Sequence, residues 1–228
     1  MKNVQNYLKK TEGKFVFGVI AVVIALFAYY FYASPSSASD TVEDISIVKT
    51  DHVRGAVNGT VTLVGFGDYQ CPACAVYEPL VKQVIEDNKT VLKFVFKNFP
   101  LTQIHDNALI GAKAAEAAGM QGKFWEMHDM LYEKQREWSL GMNARDILMS
   151  YASALKLDTK KFSEDMNSKA VEDKIFAEMK EAIKLGVPGT PTFFLNGKRI
   201  ESPSSLEAFD KLILEAAEAS KSAPVTAQ

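Results

Sequence analysis

The sequence predicts an α/β domain with an inserted all-helical subdomain, preceded by one N-terminal transmembrane helix. Three observations predict it. An apolar run at 61–66 (VTLVGF), a stretch of helical spacing and a second apolar run at 91–96 (VLKFVF) follow one another. That order is a βαβ unit, which makes its two strands parallel. Residues 104–186 then show helical patterning throughout and no strand signal. A connection in a compact domain is normally a few residues, so a block this long reads as an insertion. Finally, residues 15–32 (FVFGVIAVVIALFAYYFY) carry no charge.

At 1.5 Å per residue, the apolar run at 15–32 extends roughly 27 Å, close to the hydrocarbon thickness of a bilayer. Residues 1–14 hold Lys2, Lys9, Lys10 and Lys14 against Glu12, which assigns this end to the cytoplasm. Tyr29, Tyr30 and Tyr32 suit the far headgroup region. The rival reading is a cleaved signal peptide ending near Ser36-Ser37-Ala38, but the apolar run exceeds the usual ~7–15 residues. Both readings export the rest of the chain, and the uncleaved anchor is the one expected. Residues 33–44 (ASPSSASDTVED) are small and polar, as a linker is.

The folded domain is expected at 45–218. From Cys71-Pro72-Ala73-Cys74 to about Glu86, apolar residues recur at helical spacing: Ala75, Tyr77, Leu80, Val81, Val84 and Ile85. Pro72 fits a first helical turn, and Pro79 should kink the helix. After the helical block, residues 192–195 (TFFL) read as a strand. Asn196-Gly197 is a type I′ hairpin signal that returns the chain through Lys198, Arg199 and Ile200. Ser204-Ser205-Leu206-Glu207 matches a capping box and opens a last helix to about Ala219. Residues 219–228 read as a frayed tail.

Composition excludes several function classes. With 26 basic and 28 acidic residues the net charge is −2, which points to no nucleic-acid partner. No Gly-rich phosphate loop or Ser-His-Asp arrangement stands out. The chain has two cysteines, Cys71 and Cys74. A disulfide-stapled scaffold needs more, and a zinc or iron–sulfur site usually needs four ligands. A zinc site combining the cysteines with His105 and His128 fits no finger spacing. His128 reads instead as packed beside Trp125, and Glu126 and Asp129 as a solvated helix face.

A strand–CPAC–helix context favours redox chemistry. A thiolate at a helix N-terminus can accept free N–H groups. The helix dipole supplies about 0.3–1 kcal/mol, up to about 2 when partly buried, and one pKa unit is about 1.36 kcal/mol. The dipole therefore accounts for about one unit of activation, leaving direct N–H···S⁻ bonds to supply the rest. Cys71, at the turn, should be exposed. Cys74, one turn on, should be more buried. Cys71 would then form a mixed disulfide and Cys74 resolve it. A metal pair or a structural staple stays open from the motif alone, although a two-residue loop makes a poor staple on the ~ln n model.

The segments FGDYQCPAC, KNFPL, IHDNA, QGKFWEMHD and GTPTFFLNG, in this order, resemble the DsbA-type proteins of the thioredoxin superfamily, especially the membrane-anchored, BdbD-like group. The resemblance spans about residues 56–215. It implies a thioredoxin fold with a helical insertion. It also implies a cis Pro191 packed on the redox pair, with Thr190 offering its backbone to a substrate peptide and Pro72, Ala73, Asp68 and Lys97 supporting the site.

Three departures from the family pattern matter. Strongly oxidising relatives often have His where this chain has Ala73, so the Cys71 pKa is expected below about 8.5 but less depressed than theirs. Many relatives have Glu where this chain has Gly65; its usual lysine partner is read as Lys97, with Asp68 a candidate substitute for the carboxylate. A second cysteine pair found in some relatives is absent.

The activity implied is thiol–disulfide exchange that introduces disulfides into exported proteins, with a DsbB-like membrane partner restoring the disulfide. The alternatives are a reductase or isomerase kept reduced, or a binding module whose disulfide is structural. No cofactor or metal is expected, and the chain is expected to act as a monomer.

Overall fold

The computed structural model describes residues 44–222 and the pair 22–23. The chain divides into two compact units, residues 1–38 and 39–228, and the sheet and helices that can be described belong to the second, apart from that pair. The expected span at 15–32 lies outside the described residues except for Val22 and Val23, which are helical. Among the described residues no helix is long and apolar enough to cross a membrane.

A five-stranded sheet forms among the described residues: β1 (His52–Gly55), β2 (Val61–Gly67), β3 (Leu92–Asn98), β4 (Thr192–Leu195) and β5 (Lys198–Ile200), in the order β1-β3-β2-β4-β5. β2 and β3 pair in parallel, from Val61 opposite Leu92 to Gly67 opposite Asn98. The crossover between them is helix α1 (Pro72–Asp87), which runs on through Pro79. β1, β4 and β5 pair antiparallel to their neighbours. Asn196 and Gly197 have φ of 49° and 79°, the left-handed pair that a type I′ turn requires.

Strand β1 was not expected from the sequence. Its four residues, HVRG, hold one strong strand former. It exists because β3 offers an edge to pair with, a tertiary cause that local pattern does not report.

The remaining helices are α2 (Ala108–Gly119), α3 (Phe124–Glu133), α4 (Gln135–Trp138), α5 (Ala144–Ala154), α6 (Thr159–Asp165), α7 (Lys169–Lys184) and α8 (Leu206–Ser222). Side chains alternate across the sheet. Val61, Leu63, Phe94, Phe96 and Phe193 share one core with Val81, Val84 and Ile85 of α1 and Phe209 and Ile213 of α8. Val64, Phe66, Val95 and Phe194 face the other way, onto Phe99, Ala182 and Val187. Ala182 belongs to α7. This corrects the expected insertion at 104–186: its last helix is a layer of the α/β sandwich, covering the second sheet face. Apolar spacing identifies a helix but not the surface it covers.

Two further corrections concern the C-terminal helix. The Oγ of Ser205 accepts the Ala208 N–H at 3.2 Å, so the cap is Ser205 rather than Ser204, and Glu207 sits one position too early for a reciprocal box. The helix continues to Ser222, into the stretch read as tail; residues 223–228 lie outside those described.

The insertion packs on its own small side chains. Ala112, Ala114, Ala115, Ala117 and Ala118 of α2 are buried with Met127, Leu131, Trp138, Leu148 and Phe162. Gly111 lets α2 approach Trp138: a Cβ there would lie 2.6 Å from Trp138 Cη2.

Candidate active site at the mouth of helix α1

The ends of β2 and α1 and the loop before β4 converge on the two cysteines. Cys71 is the N-cap of α1, with φ −68° and ψ 120°, and Pro72 occupies the first turn. The Cys71 N–H donates to the Asp68 carbonyl at 3.1 Å. The Cys71 carbonyl accepts from the Ala75 N–H at 3.2 Å and from Gln135 Nε2 at 2.9 Å. Both cysteines are free thiols.

The expected exposure of Cys71 is corrected. Cys71 is 7% and Cys74 4% exposed. The loop before β4 closes over the pair: Cys71 Sγ lies 3.3 Å from the Thr190 carbonyl oxygen, to which its thiol donates. The Thr190–Pro191 peptide is cis.

Cys74 lies deeper than Cys71, as expected, and the two sulfurs differ electrically as well. The Cys71 pKa is lowered to about 5, first by a hydrogen bond from Cys74, then by the Thr190 side chain and the N–H groups of Cys74 and Ala73, against the opposing effect of burial. Thr190 Oγ1 is buried and makes no regular hydrogen bond to the neutral thiol, which leaves it free to donate to a thiolate. Burial, followed by the hydrogen bond and charge of Cys71, raises the Cys74 pKa well above the ordinary thiol range. Sequence reasoning credits the dipole and backbone amides; the larger contribution is the second thiol itself.

Asp68 is buried and acts as a loop anchor. Its Oδ1 accepts the Gln70 N–H at 2.7 Å. Its Oδ2 accepts the Leu101 N–H at 2.9 Å and pairs with His105 Nδ1 at 2.7 Å. What Asp68 offers Cys74 is its backbone N–H, not a free carboxylate.

Lys97 does not join the site. It faces the opposite side of the sheet, and its Nζ bonds Glu181 at 2.9 Å, Asp51 at 3.3 Å and the Ser46 carbonyl at 2.7 Å. Its neighbour Phe96 faces the α1 side, and a one-residue step along a strand reverses the face. Gly65 is on the α1 side, where an added Cβ would meet the rings of Phe94 and Phe193 at 3.1–3.3 Å.

The insertion grips the cysteine loop through residues that the motifs did not single out. Gln135 Nε2 donates to the Tyr69 and Cys71 carbonyls at 2.8 and 2.9 Å. Gln70 donates to the Ser139 carbonyl at 2.8 Å and accepts the Asn107 N–H at 2.6 Å. Asn107 donates to the Ser139 and Gly141 carbonyls, both at 3.0 Å. Ile104, Leu140 and Met142 stand exposed on these loops. Gln70 and Asn107 lie inside the family-like segments, but a polar side chain's partner 30–70 positions away leaves no local trace.

His105 and His128 occupy different surroundings. His128 is fully buried, packs against Trp125 at a ring-centroid distance of 5.0 Å and has Nδ1 2.9 Å from Tyr69 Oη. Ligand atoms of Glu78, His128 and Asp129 lie within 4.8 Å of one another. Arg54 and Lys82 each lie 3.0 Å from Asp129, and Arg54 lies 3.8 Å from Glu78. Arg54 and Lys82 already neutralise Asp129, so the cluster is an ion-pair network. Asp129 is thereby corrected from a solvated helix face to a partly buried partner of Arg54, whereas Glu126 is exposed and pairs with Lys123.

Comparison with known proteins agrees with this fold. A family model described as Thioredoxin matches residues 48–215. A thioredoxin-like oxidoreductase from Silicibacter pomeroyi superposes with a TM-score of 0.63 at 25% identity, covering 77% of this chain and 95% of that one. Oxidised BdbD from Bacillus subtilis gives 0.67 at 24% identity, covering 79% and 100%. Wolbachia pipientis α-DsbA1 gives 0.67 at 18%, covering 78% and 96%. These last two share the fold.

Among curated relatives, the Na⁺/H⁺ antiporter NhaA 3 of Salinispora tropica is 39% identical over 166 residues, and NhaA 1 of Mycolicibacterium gilvum 35% over 157. The chain spans 24% of the length of each, so the likeness is to one segment of those proteins. The match over residues 48–215 places the chain in the thioredoxin family.

Proposed function

We propose that this chain is a membrane-tethered oxidase that introduces disulfides into exported proteins. One arrangement carries the reading: Cys74, Thr190 and the first N–H groups of α1 surround Cys71 and lower its pKa to about 5, while burial holds Cys74 well above the ordinary range. A thiol of pKa 5 is roughly 99% thiolate at pH 7. Stabilising the thiolate stabilises the reduced pair, and a pair stabilised when reduced is an oxidant in its disulfide form.

In the reaction a substrate thiolate attacks Cys71 Sγ of the Cys71–Cys74 disulfide. The S–S bond breaks, and Cys74 leaves with the electron pair and takes up a proton. A second substrate thiolate then attacks the substrate sulfur of the mixed disulfide, and Cys71 leaves as a thiolate. The substrate has lost two electrons and the enzyme pair has gained them. The Thr190 backbone, beside Cys71, is placed to meet an extended peptide. Reoxidation would fall to a DsbB-like membrane disulfide carrier.

The apolar segment at 15–32, with lysines before it, supports tethering with 1–14 in the cytoplasm and the catalytic domain outside, joined by the linker at 33–44. Tethering raises the local concentration of the domain near a membrane partner. The test is the equilibrium of Cys71–Cys74 with glutathione. The oxidase reading expects a potential near about −120 mV; one near thioredoxin's, about −270 mV, assigns the chain to reduction. Cys74→Ala should accumulate mixed disulfides through Cys71, and a binding module would accumulate none.

A further inference from the structure

Every turnover moves a proton at Cys74, which leaves the disulfide as a thiolate and ends as a thiol. The mouth of the site is a poor route for that proton. The loop at Thr190 and Pro191 covers it, and a substrate joined to Cys71 covers it further. We propose that Glu78, acting through one water, carries the Cys74 proton to solvent along helix α1, away from the mouth. The proposal rests on exchange at Cys71 and Cys74 but on neither net direction.

Three observations place Glu78 on such a route. First, a cavity of about 20 Å³ adjoins Cys74 and is walled by Gly65, Gly67, Glu78 and Tyr132 among others. Such a space holds about one water. Glu78 follows Cys74 by four residues on α1, so the two share a helix face. Second, Glu78 and Tyr132 also line an open groove of about 400 Å³ on the outside, with Pro79, Lys82, Glu86 and Glu133. Glu78 thus stands in the wall between the water-sized cavity and the solvent. Third, two of the cavity's wall positions are glycine, and a side chain there would crowd the other walls: a Cβ on Gly67 would lie 2.5 Å from Phe96 Cε2 and 2.9 Å from Tyr132 Oη.

No other wall residue competes for the proton. Burial raises the Tyr132 pKa well above 10, so its phenol keeps its own proton at neutral pH. Tyr77 Oη is turned to the Ser202 carbonyl at 3.3 Å. The Asp68 carboxylate is engaged by three donors.

The charged and titratable groups facing Glu78 come from each packed element. His128 Nε2 from α3 lies 3.2 Å from Glu78 Oε2 and makes no regular hydrogen bond of its own; its other nitrogen is held by Tyr69. Arg54 from β1 lies 3.8 Å away. Lys82, Glu86 and Glu133 face the groove, and Asp129 is taken up by Arg54 and Lys82. A carboxylate flanked by an imidazole nitrogen and a guanidinium can take a proton on one side and release it on the other.

The test separates the two sulfurs kinetically. Reduced full-length chain is mixed with glutathione disulfide, and formation of the Cys71 mixed disulfide is followed separately from its resolution by Cys74. In Glu78→Gln the first phase and the Cys71 alkylation–pH profile stay unchanged, while the second phase slows by at least about tenfold and its pH dependence moves upward. Glu78→Asp, which keeps a carboxyl for the water, recovers most of that loss. Gly65→Ala narrows the cavity from the opposite wall with Glu78 intact, and the same selective slowing is expected. An unchanged second phase in Glu78→Gln, or both phases altered alike, overturns the proposal. Should Glu78→Gln fail to fold, an unchanged second phase in Gly65→Ala overturns it. If wild-type Cys71 forms no mixed disulfide at all, it is the exchange reading that fails.

Discussion

Cys71 and Thr190, 119 positions apart, meet at 3.3 Å, sulfur against carbonyl oxygen. The contact has two sides. The carbonyl accepts from the protonated thiol, whereas the Thr190 side chain favours the thiolate and helps lower Cys71 to about 5. Thr190→Val removes the hydroxyl and keeps shape and carbonyl. The Cys71 titration midpoint, followed by thiolate absorbance, should move up by about one unit, about 1.4 kcal/mol. An unmoved midpoint would mean that the hydroxyl plays no part.

The pair should take up one proton, not two, on reduction near neutral pH. The Cys71 midpoint lies near 5 and that of Cys74 well above the thiol range, so between them the reduced form is one thiolate and one thiol. The potential of the two-electron couple should then fall by about 30 mV per pH unit between pH 6 and 8, where a two-proton couple falls by about 59 mV. Stability shifts with pH for the same reason. A depressed Cys71 pKa favours the folded, reduced chain fully above the unfolded value near about 8.5, and the benefit fades as pH falls toward about 5. Urea midpoints of the reduced chain, measured against the oxidised chain, should therefore rise from pH 5 to 8.

Gly111→Ala should destabilise the insertion. The new methyl would lie 2.6 Å from Trp138 Cη2 and 3.2 Å from Tyr69 Cβ. Trp138 is fully buried and fixed by its Nε1–H to the Leu131 carbonyl at 2.9 Å. Overpacking costs typically about 1–3 kcal/mol, against a helix-propensity gain of about 1 kcal/mol. A net loss of stability in urea is expected; an equal or higher midpoint would show that the α2–α4 contact yields freely.

What could be read from the sequence were features whose cause is local. The apolar strands, the helix opening at Pro72 and the Asn196-Gly197 turn arise from neighbouring residues, and the paired cysteines carry their chemistry in their spacing. What escaped depends on distant partners. β1 exists because β3 has an edge, and α7 covers a sheet face that its own periodicity cannot name. Cys71 is buried by a loop that arrives 119 residues later. Lys97 was misplaced because a single step in strand register reverses a side chain's face. Glu78 belongs to none of the motifs; only the cavity beside Cys74 distinguishes it.

At neutral pH Cys71 is a stabilised thiolate while Cys74 stays protonated. The most direct test is the alkylation rate of Cys71 against pH in the reduced chain, with the modified cysteine identified by peptide mapping. A single midpoint near 5 is expected, with Cys74 unmodified throughout. A midpoint near the free-thiol value of about 8.5, or equal reaction at both cysteines, would contradict this pairing of thiolate and thiol.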